Sequence, residues 1–179
     1  MSKKVLAISS SFRKGSNSEA LSDAFLKGAA EAGYDTEKVC LGDKNIGFCR
    51  GCLACLKTGR CAFNDDAVEI AEKMLKADVL VFATPVYYYS VSGQLKTMLD
   101  RANPLYGQDY AFRRVYLLTS AAESADSAQE GAIKAVQGWV DCFGKAKLAG
   151  TVFAGGVNAV GDIKGHNALI HAYEMGKAL

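Results

Sequence analysis

The feature that most constrains this chain is an alternation. Five short runs rich in β-branched and apolar residues are separated by stretches whose apolar residues recur at helical spacing. The runs are KKVLAIS (3–9), YDTEKVCL (34–41), DVLVFA (78–83), RRVYLLTS (113–120) and KLAGTVFAGG (147–156). Between the first two runs, Ala20, Leu21, Ala24, Phe25 and Gly28 predict one helix face, starting near Ser18 and stopped by Gly33. Asp66 and Glu69 have capping-box spacing ahead of Val68, Ile70, Ala71, Met74 and Leu75. Leu95, Met98 and Leu99 mark a third helix, ended near Pro104. Ser127 and Glu130 suggest a second capping box, before Ile133, Val136, Trp139, Val140 and Phe143, and residues 166–178 read as a terminal helix. Strands alternating with helices signify βαβ units, whose right-handed crossovers leave few topologies. The expectation is an α/β three-layer sandwich with a five-stranded parallel sheet in the order 2-1-3-4-5. Ligands of such sheets sit outside the carboxyl ends of the strands, beside the switch point.

No repeat, linker or composition break interrupts the 179 residues, about the length of one domain. One domain over residues 1–179 is expected, with a cysteine-rich loop at 49–61. Half the residues are hydrophobic, enough for a continuous core. The net charge of +2 is unclustered, so no nucleic-acid partner and no basic membrane surface are expected. The apolar run near the start spans only Val5 to Ile8, too short for a signal peptide, and no stretch is long enough for a membrane helix. These readings predict a cytoplasmic protein, in which clustered cysteines suggest metal or redox chemistry rather than disulfides.

The carboxyl-edge rule directs attention to the loops after Ser9, Ala83 and Thr119. SSSFRKGSNS (9–18) offers the hydroxyls of Ser10, Ser11, Ser16 and Ser18, the Asn17 amide, the Arg13 guanidinium and a flexible Gly15, just where a helix begins. Free N–H groups among short donors suit a phosphate. Neither dinucleotide nor triphosphate glycine patterns are present, which favours a monophosphate. An ordinary serine-rich capped loop is the bland alternative. After the third run, Pro85 precedes Tyr87, Tyr88 and Tyr89. Three adjacent tyrosines cannot all face one core, so some must be exposed or stacked on something flat; the alternative is packing on the next helix or at an oligomer contact. Together the two loops suit a planar cofactor with one phosphate, which describes FMN.

SSFRKGSNS, TPVYYYSVSGQLKTMLDR and the run CRGCLACLKTGRC together resemble the NADPH-dependent FMN reductase-like flavoproteins of the flavodoxin fold, and within them the iron–sulfur flavoproteins. The resemblance runs from Lys3 to the terminal AYEMGKAL. Against the group's loop motif G-S-P-R-K-x-G-N-T, Ser11, Arg13, Lys14 and Asn17 match, while Ser10, Phe12, Ser16 and Ser18 depart. The resemblance implies FMN phosphate binding by Ser11, Arg13, Ser16, Asn17 and Ser18. It implies that Thr84, Pro85, Val86, Tyr87, Tyr88, Tyr89 and Ser90 hold the isoalloxazine ring, partly through backbone groups. Thr119, Ser120 and Ala121 would flank that ring. It further implies a homodimer or homotetramer with shared sites.

Cys49, Cys52, Cys55 and Cys61 have the spacing C-x2-C-x2-C-x5-C. Compact runs of this kind supply four thiolates to a [4Fe–4S] cluster, and the resemblance implies the same use. Free or redox-active thiols and a structural zinc site are the alternatives. Cys40 and Cys142 are expected to be buried structural thiols, His166 and His171 solvated helix residues, and Asp65 and Asp66 caps. No catalytic side chain is nominated. Three functions follow as expectations: an oxidoreductase moving electrons through FMN and the cysteine-bound cluster; an NAD(P)H-dependent FMN or quinone reductase without a cluster; and a non-catalytic flavodoxin-type carrier. The counterpart would be a redox partner protein or a small-molecule acceptor.

Overall fold

The structure is a computed structural model describing residues 2–179. Strand β1 (Lys4–Ser9) leads through a loop to α1 (Asn17–Glu31), followed by β2 (Asp35–Cys40). A long excursion carries the short helix α2 (Ala54–Thr58) before α3 (Asp66–Lys76) and β3 (Val79–Tyr87). A two-residue strand β4 (Ser90–Val91) precedes α4 (Gly93–Arg101) and β5 (Arg114–Ser120). The chain ends with α5 (Glu130–Val140), β6 (Lys147–Ala154) and α6 (Asn167–Lys177).

The long strands pair in the order β2-β1-β3-β5-β6, all parallel. That is the expected 2-1-3-4-5 arrangement and a flavodoxin-like fold. One element is added: β4 folds back antiparallel on β3, pairing Val86 with Val91 and Tyr87 with Ser90. The sheet therefore has six strands, not five. Two residues are too few to show a period in sequence. Strand β3 also runs past the expected end at Ala83. Pairing with β1 stops at Ala83, while β5 continues to accompany it as far as Pro85. Pro85 thus sits where one neighbour has ended, the kind of edge position that tolerates proline.

The strands are apolar on both faces because helices cover both. Leu6, Ile8, Leu80, Phe82, Val115 and Leu117 pack with α3, α4 and α5. Their alternating neighbours Val5, Ala7, Val79, Val81, Tyr116 and Leu118 pack with α1 and α6. Phe82, Phe112, Trp139 and Phe143 form an aromatic cluster under α5, with Phe82 edge-on to Trp139 at 5.5 Å. Helices α1 and α6 cross so closely that a Cβ on Gly176 would lie 2.0 Å from the Phe25 carbonyl oxygen.

Several local expectations are corrected. Ser127 caps nothing: a 3-10 turn over Asp126–Gln129 runs directly into α5, whose cap residue Gln129 makes no side-chain capping bond. The cap of α3 is Asp65, whose carboxylate accepts from Ala67 N–H, and Asp66 is the first helical residue, accepting instead from Asn45 N–H. His166 is the cap of α6, its Nδ1 accepting from Ala168 N–H at 3.1 Å. Cys142 is exposed rather than buried, because it follows the last turn of α5 while Val140 and Phe143 take the inward positions. Cys40 is half-buried on the outermost strand, within 3.6 Å of the Glu19 carboxylate. No helix among the described residues is long and apolar enough to cross a membrane.

Candidate functional site

Three loops converge at the carboxyl edge of β1, β3 and β5. They enclose a cavity of about 240 Å³ lined by Ser11, Arg13, Ser16, Asn17 and Ser18, by Pro85, Val86 and Tyr87, and by Ser120, Ala121 and Ala122. Asn158 and Val160, from the loop after β6, complete the wall. Strand register explains the convergence, since Ser9 lies opposite Ala83 and Pro85 opposite Ser120.

The first loop closes on the start of α1. Ser16 is the N-cap, its Oγ accepting from Glu19 N–H, and it lies 3.4 Å from the buried Ser18 hydroxyl. The opening N–H groups of a helix have no intrahelical acceptor and carry the positive end of its dipole. Glu19 would oppose an anion there, but its charge is already engaged. It accepts from Gly15 N–H and from Lys38 at 2.9 Å, and chiefly the Lys38 bond holds its carboxyl below the usual carboxylate range. Burial works against the Lys38 charge, yet Asp23 and Glu19 together push its pKa up to about 12.

Arg13 and Asn17 are tied to the far end of the chain. Arg13 donates to the Asn158 carbonyl at 3.0 Å and Asn17 Nδ2 to the Ala159 carbonyl at 2.9 Å. Asn17 Oδ1 accepts from Ile163 N–H. The Asn17 amide is therefore committed to holding the last loop. Asn158 and Val160 were missed from sequence, since the edge rule was applied to the loops after β1, β3 and β5 but not to the loop after β6; Ala122 lies one residue past the expected bound in the loop after β5. The run of glycines at 155, 156, 161 and 165 was the available signal.

Other expected residues lie off the cavity. Thr84 is fully buried, donating to the Pro85 carbonyl and accepting from Ser92 N–H. Thr119 is equally buried, donating toward Gln129 and the Val152 carbonyl. Tyr88 and Tyr89 form the turn between β3 and β4, and Ser90 follows in β4. Both turn tyrosines have positive φ, 48° and 60°, a left-handed conformation costly for bulky residues. Tyr88 is fully exposed. The hairpin is seated against α5, where Gly131 leaves room for the Tyr89 carbonyl; a Cβ there would approach it to 2.1 Å.

The four run cysteines share another, smaller depression of about 20 Å³, with Arg50, Phe63, Asp100, Arg101, Asn103 and Pro104 among its walls. Asn103 Nδ2 donates to Cys55 Sγ at 3.1 Å and Arg101 Nη2 to Cys61 Sγ at 3.4 Å. Cys49 and Cys52 are exposed. Among the described residues, no group of three or more His, Cys, Asp or Glu side chains is gathered as a metal ligand set. The donor chemistry suits thiolates, while the side-chain positions are not those of a closed site. The sequence spacing had no means of revealing Arg101 and Asn103, which stand some forty residues further along.

A doubly wound parallel sheet with a hydroxyl-lined helix start facing a proline–tyrosine loop defines an α/β protein of flavodoxin-like fold with a crevice at the carboxyl edge of its sheet. The family model for NADPH-dependent FMN reductase matches residues 3–158, and this chain belongs to that family. It is thus an FMN-dependent oxidoreductase, which sets aside the non-catalytic carrier. An iron-sulfur flavoprotein of Methanosarcina thermophila is 33% identical over 155 residues, covering 86% of this chain and 81% of its own. One from Methanocaldococcus jannaschii is 42% identical over 102 residues, 57% of this chain and 53% of that relative. Among solved structures, the NAD(P)H:quinone oxidoreductase from Methanothermobacter marburgensis superposes with a TM-score of 0.76 at 20% identity, covering 99% of this chain and 96% of that one. That last similarity is one of fold.

Proposed function

We propose that the chain binds FMN in the three-loop crevice and uses it to take electrons from NAD(P)H. In this reading the phosphate is met by Ser11, Arg13, Ser16, Ser18 and the N–H groups that open α1. Asn17 keeps the last loop in place. Pro85, Val86 and Tyr87 face Ser120, Ala121 and Ala122 across the space for the ring. The observation that carries the reading is the convergence of these residues, far apart in sequence, on one cavity. Bound FMN would supply acceptance of two electrons as hydride and their release singly or in pairs. The side chains supply position and charge compensation, and none is required to move a proton. Arg13→Ala should weaken FMN binding about tenfold or more, the scale of a lost hydrogen bond to a charged group, as read by quenching of flavin fluorescence. Unchanged affinity in both Arg13→Ala and Ser18→Val would overturn this placement.

We further propose that Cys49, Cys52, Cys55 and Cys61 hold a [4Fe–4S] cluster. Support comes from their shared depression, the N–H donors aimed at two of the sulfurs, and the names of the iron-sulfur flavoprotein relatives. A second reading, a cluster-free reductase of quinones or other small acceptors, is favoured by the absence of a gathered ligand set among the described residues. Anaerobic purification followed by iron and labile-sulfide assays decides between them. About four of each per chain are expected for the cluster, and flavin absorption bands alone would establish the second reading. The exposed tyrosine turn beside the crevice also supports a homodimer or homotetramer, tested by sedimentation.

A further inference from the structure

We propose that α4 is the member that fixes the cysteine run relative to the flavin crevice, with Arg101 at its end and Asn103 in the turn that follows as the sulfur-directed positioning residues. The inference stands whether the run holds a cluster or thiols.

The amino end of α4 is anchored behind the crevice, at the roots of two of its loops. Its cap residue Ser92 is fully buried; its Oγ donates to Ser10 Oγ at 2.9 Å, and its N–H donates to Thr84 Oγ1 at 3.0 Å. Ser10 begins the first crevice loop and Thr84 directly precedes Pro85, so one residue joins both. Nine residues later, a distance of about 14 Å along a helix, the other end of α4 grips the cysteine run.

That grip is concentrated in one side chain. Arg101 is only 2% exposed. Its guanidinium forms a two-pronged pair with Asp65 at 2.6 and 2.7 Å. The same group donates to the Gly47 carbonyl at 2.7 Å and the Phe63 carbonyl at 3.1 Å. Those two carbonyls stand just before Cys49 and just after Cys61, so a single planar fork ties both ends of the run together. Gly47 N–H donates to Asp65 in return, closing the network. Arg101 also faces the run's interior, through its bond to Cys61 Sγ, and Asn103 makes the matching bond to Cys55.

One donor is left over. Arg101 Nε is buried and has no partner among the described residues. A buried charged donor without an acceptor is costly. Arg101 lines the same depression as the four sulfurs, which makes a sulfur at the centre the acceptor its chemistry suits. Donation of N–H groups to sulfur stabilises the more negative, reduced form of a sulfur-ligated centre. Lysine keeps the charge but lacks the planar fork, so it cannot serve both carbonyls, the carboxylate and the sulfur at once.

The test uses the full FMN-loaded chain with Arg101→Lys and Asn103→Leu. Hydrogen exchange of the backbone over residues 47–65 is expected to quicken about tenfold in Arg101→Lys, the loss of roughly one charged hydrogen bond, while residues 11–18 exchange as before. In protein loaded anaerobically with iron and sulfide, both variants should lower the midpoint potential of the cysteine centre. Quickened exchange with an unmoved potential would leave Arg101 a plain structural strut and overturn its sulfur-directed role. Wild-type exchange over 47–65 in both variants would overturn the inference entirely. Should Arg101→Lys lose FMN through unfolding, Asn103→Leu decides alone, through exchange at residues 52–58. Failure of iron to load refutes the cluster, and the exchange result still judges the strut.

Discussion

The three-loop crevice and the cysteine run are both lined by loop residues, yet they are ordered by different means. Crevice residues follow directly from parallel strands whose register is fixed by a buried sheet, and its polar members Ser16, Asn17, Ser18 and Ser120 are themselves buried. The cysteine run has one short helix, α2, with left-handed residues at both ends, Leu53 and Gly59. Most of its residues are exposed. Its position rests on Arg101 and Asn103, which belong to a neighbouring helix and turn. The first site is a product of topology; the second hangs from a few side chains. Damage to one should therefore leave the other standing.

The largest separation is expected from Arg101→Met. It strips Asp65 of its buried partner at a cost of about 3–5 kcal/mol, read as a lowered midpoint in urea. Before global unfolding, the loss should be confined to residues 47–65, with FMN retained. Equal loosening of both regions would break the contrast. Gly131→Ala acts on the opposite side. The added methyl collides with the Tyr89 carbonyl and lifts the β3–β4 hairpin, an overpacking worth about 1–3 kcal/mol. FMN affinity should fall while exchange in the cysteine run stays unchanged. Ser16→Ala removes the cap of α1 and should cost about 1 kcal/mol, measured as a drop in thermal midpoint. Ser16→Gly should cost less.

The smallest effect sharpens the comparison through pH. Burial opposes the Asp65 charge, but the Arg101 bond, aided by Gly47 and Ala67 N–H groups, holds its carboxyl below the usual carboxylate range. A group with a depressed folded pKa stabilises fully above its unfolded value, and that contribution disappears as pH falls through the folded one. The cysteine run should thus loosen on acidification below about pH 4, visible as faster proteolysis at residues 47–65. Asp65→Asn should abolish this dependence.

Much of the scaffold was legible because periodicity reports burial. Apolar runs such as Val79–Ala83 and amphipathic helices such as α3 declared their faces, and chirality then restricted their order. The crevice was legible for the same reason: its loops are the carboxyl ends of recognisable strands. What escaped were features set by contacts between distant residues. Only the flanking glycines hint at Asn158 as a wall, and nothing local marks Arg101 as an anchor, because an arginine in an amphipathic helix ordinarily reads as solvent-facing. The tyrosine turn escaped too, since two-residue hairpins are recognised by Asn and Gly at positive φ. Tyr88 and Tyr89 hold that conformation against their own preference.

The bonds from Arg13 and Asn17 to residues 158–163 span more than 140 positions in sequence. During synthesis from the amino end, the first wall of the crevice emerges long before the last one exists. A nascent chain halted before Asn158 would carry its hydroxyl-rich loop with no lid of carbonyls to brace it. The crevice is accordingly complete only once the loop after β6 is in place.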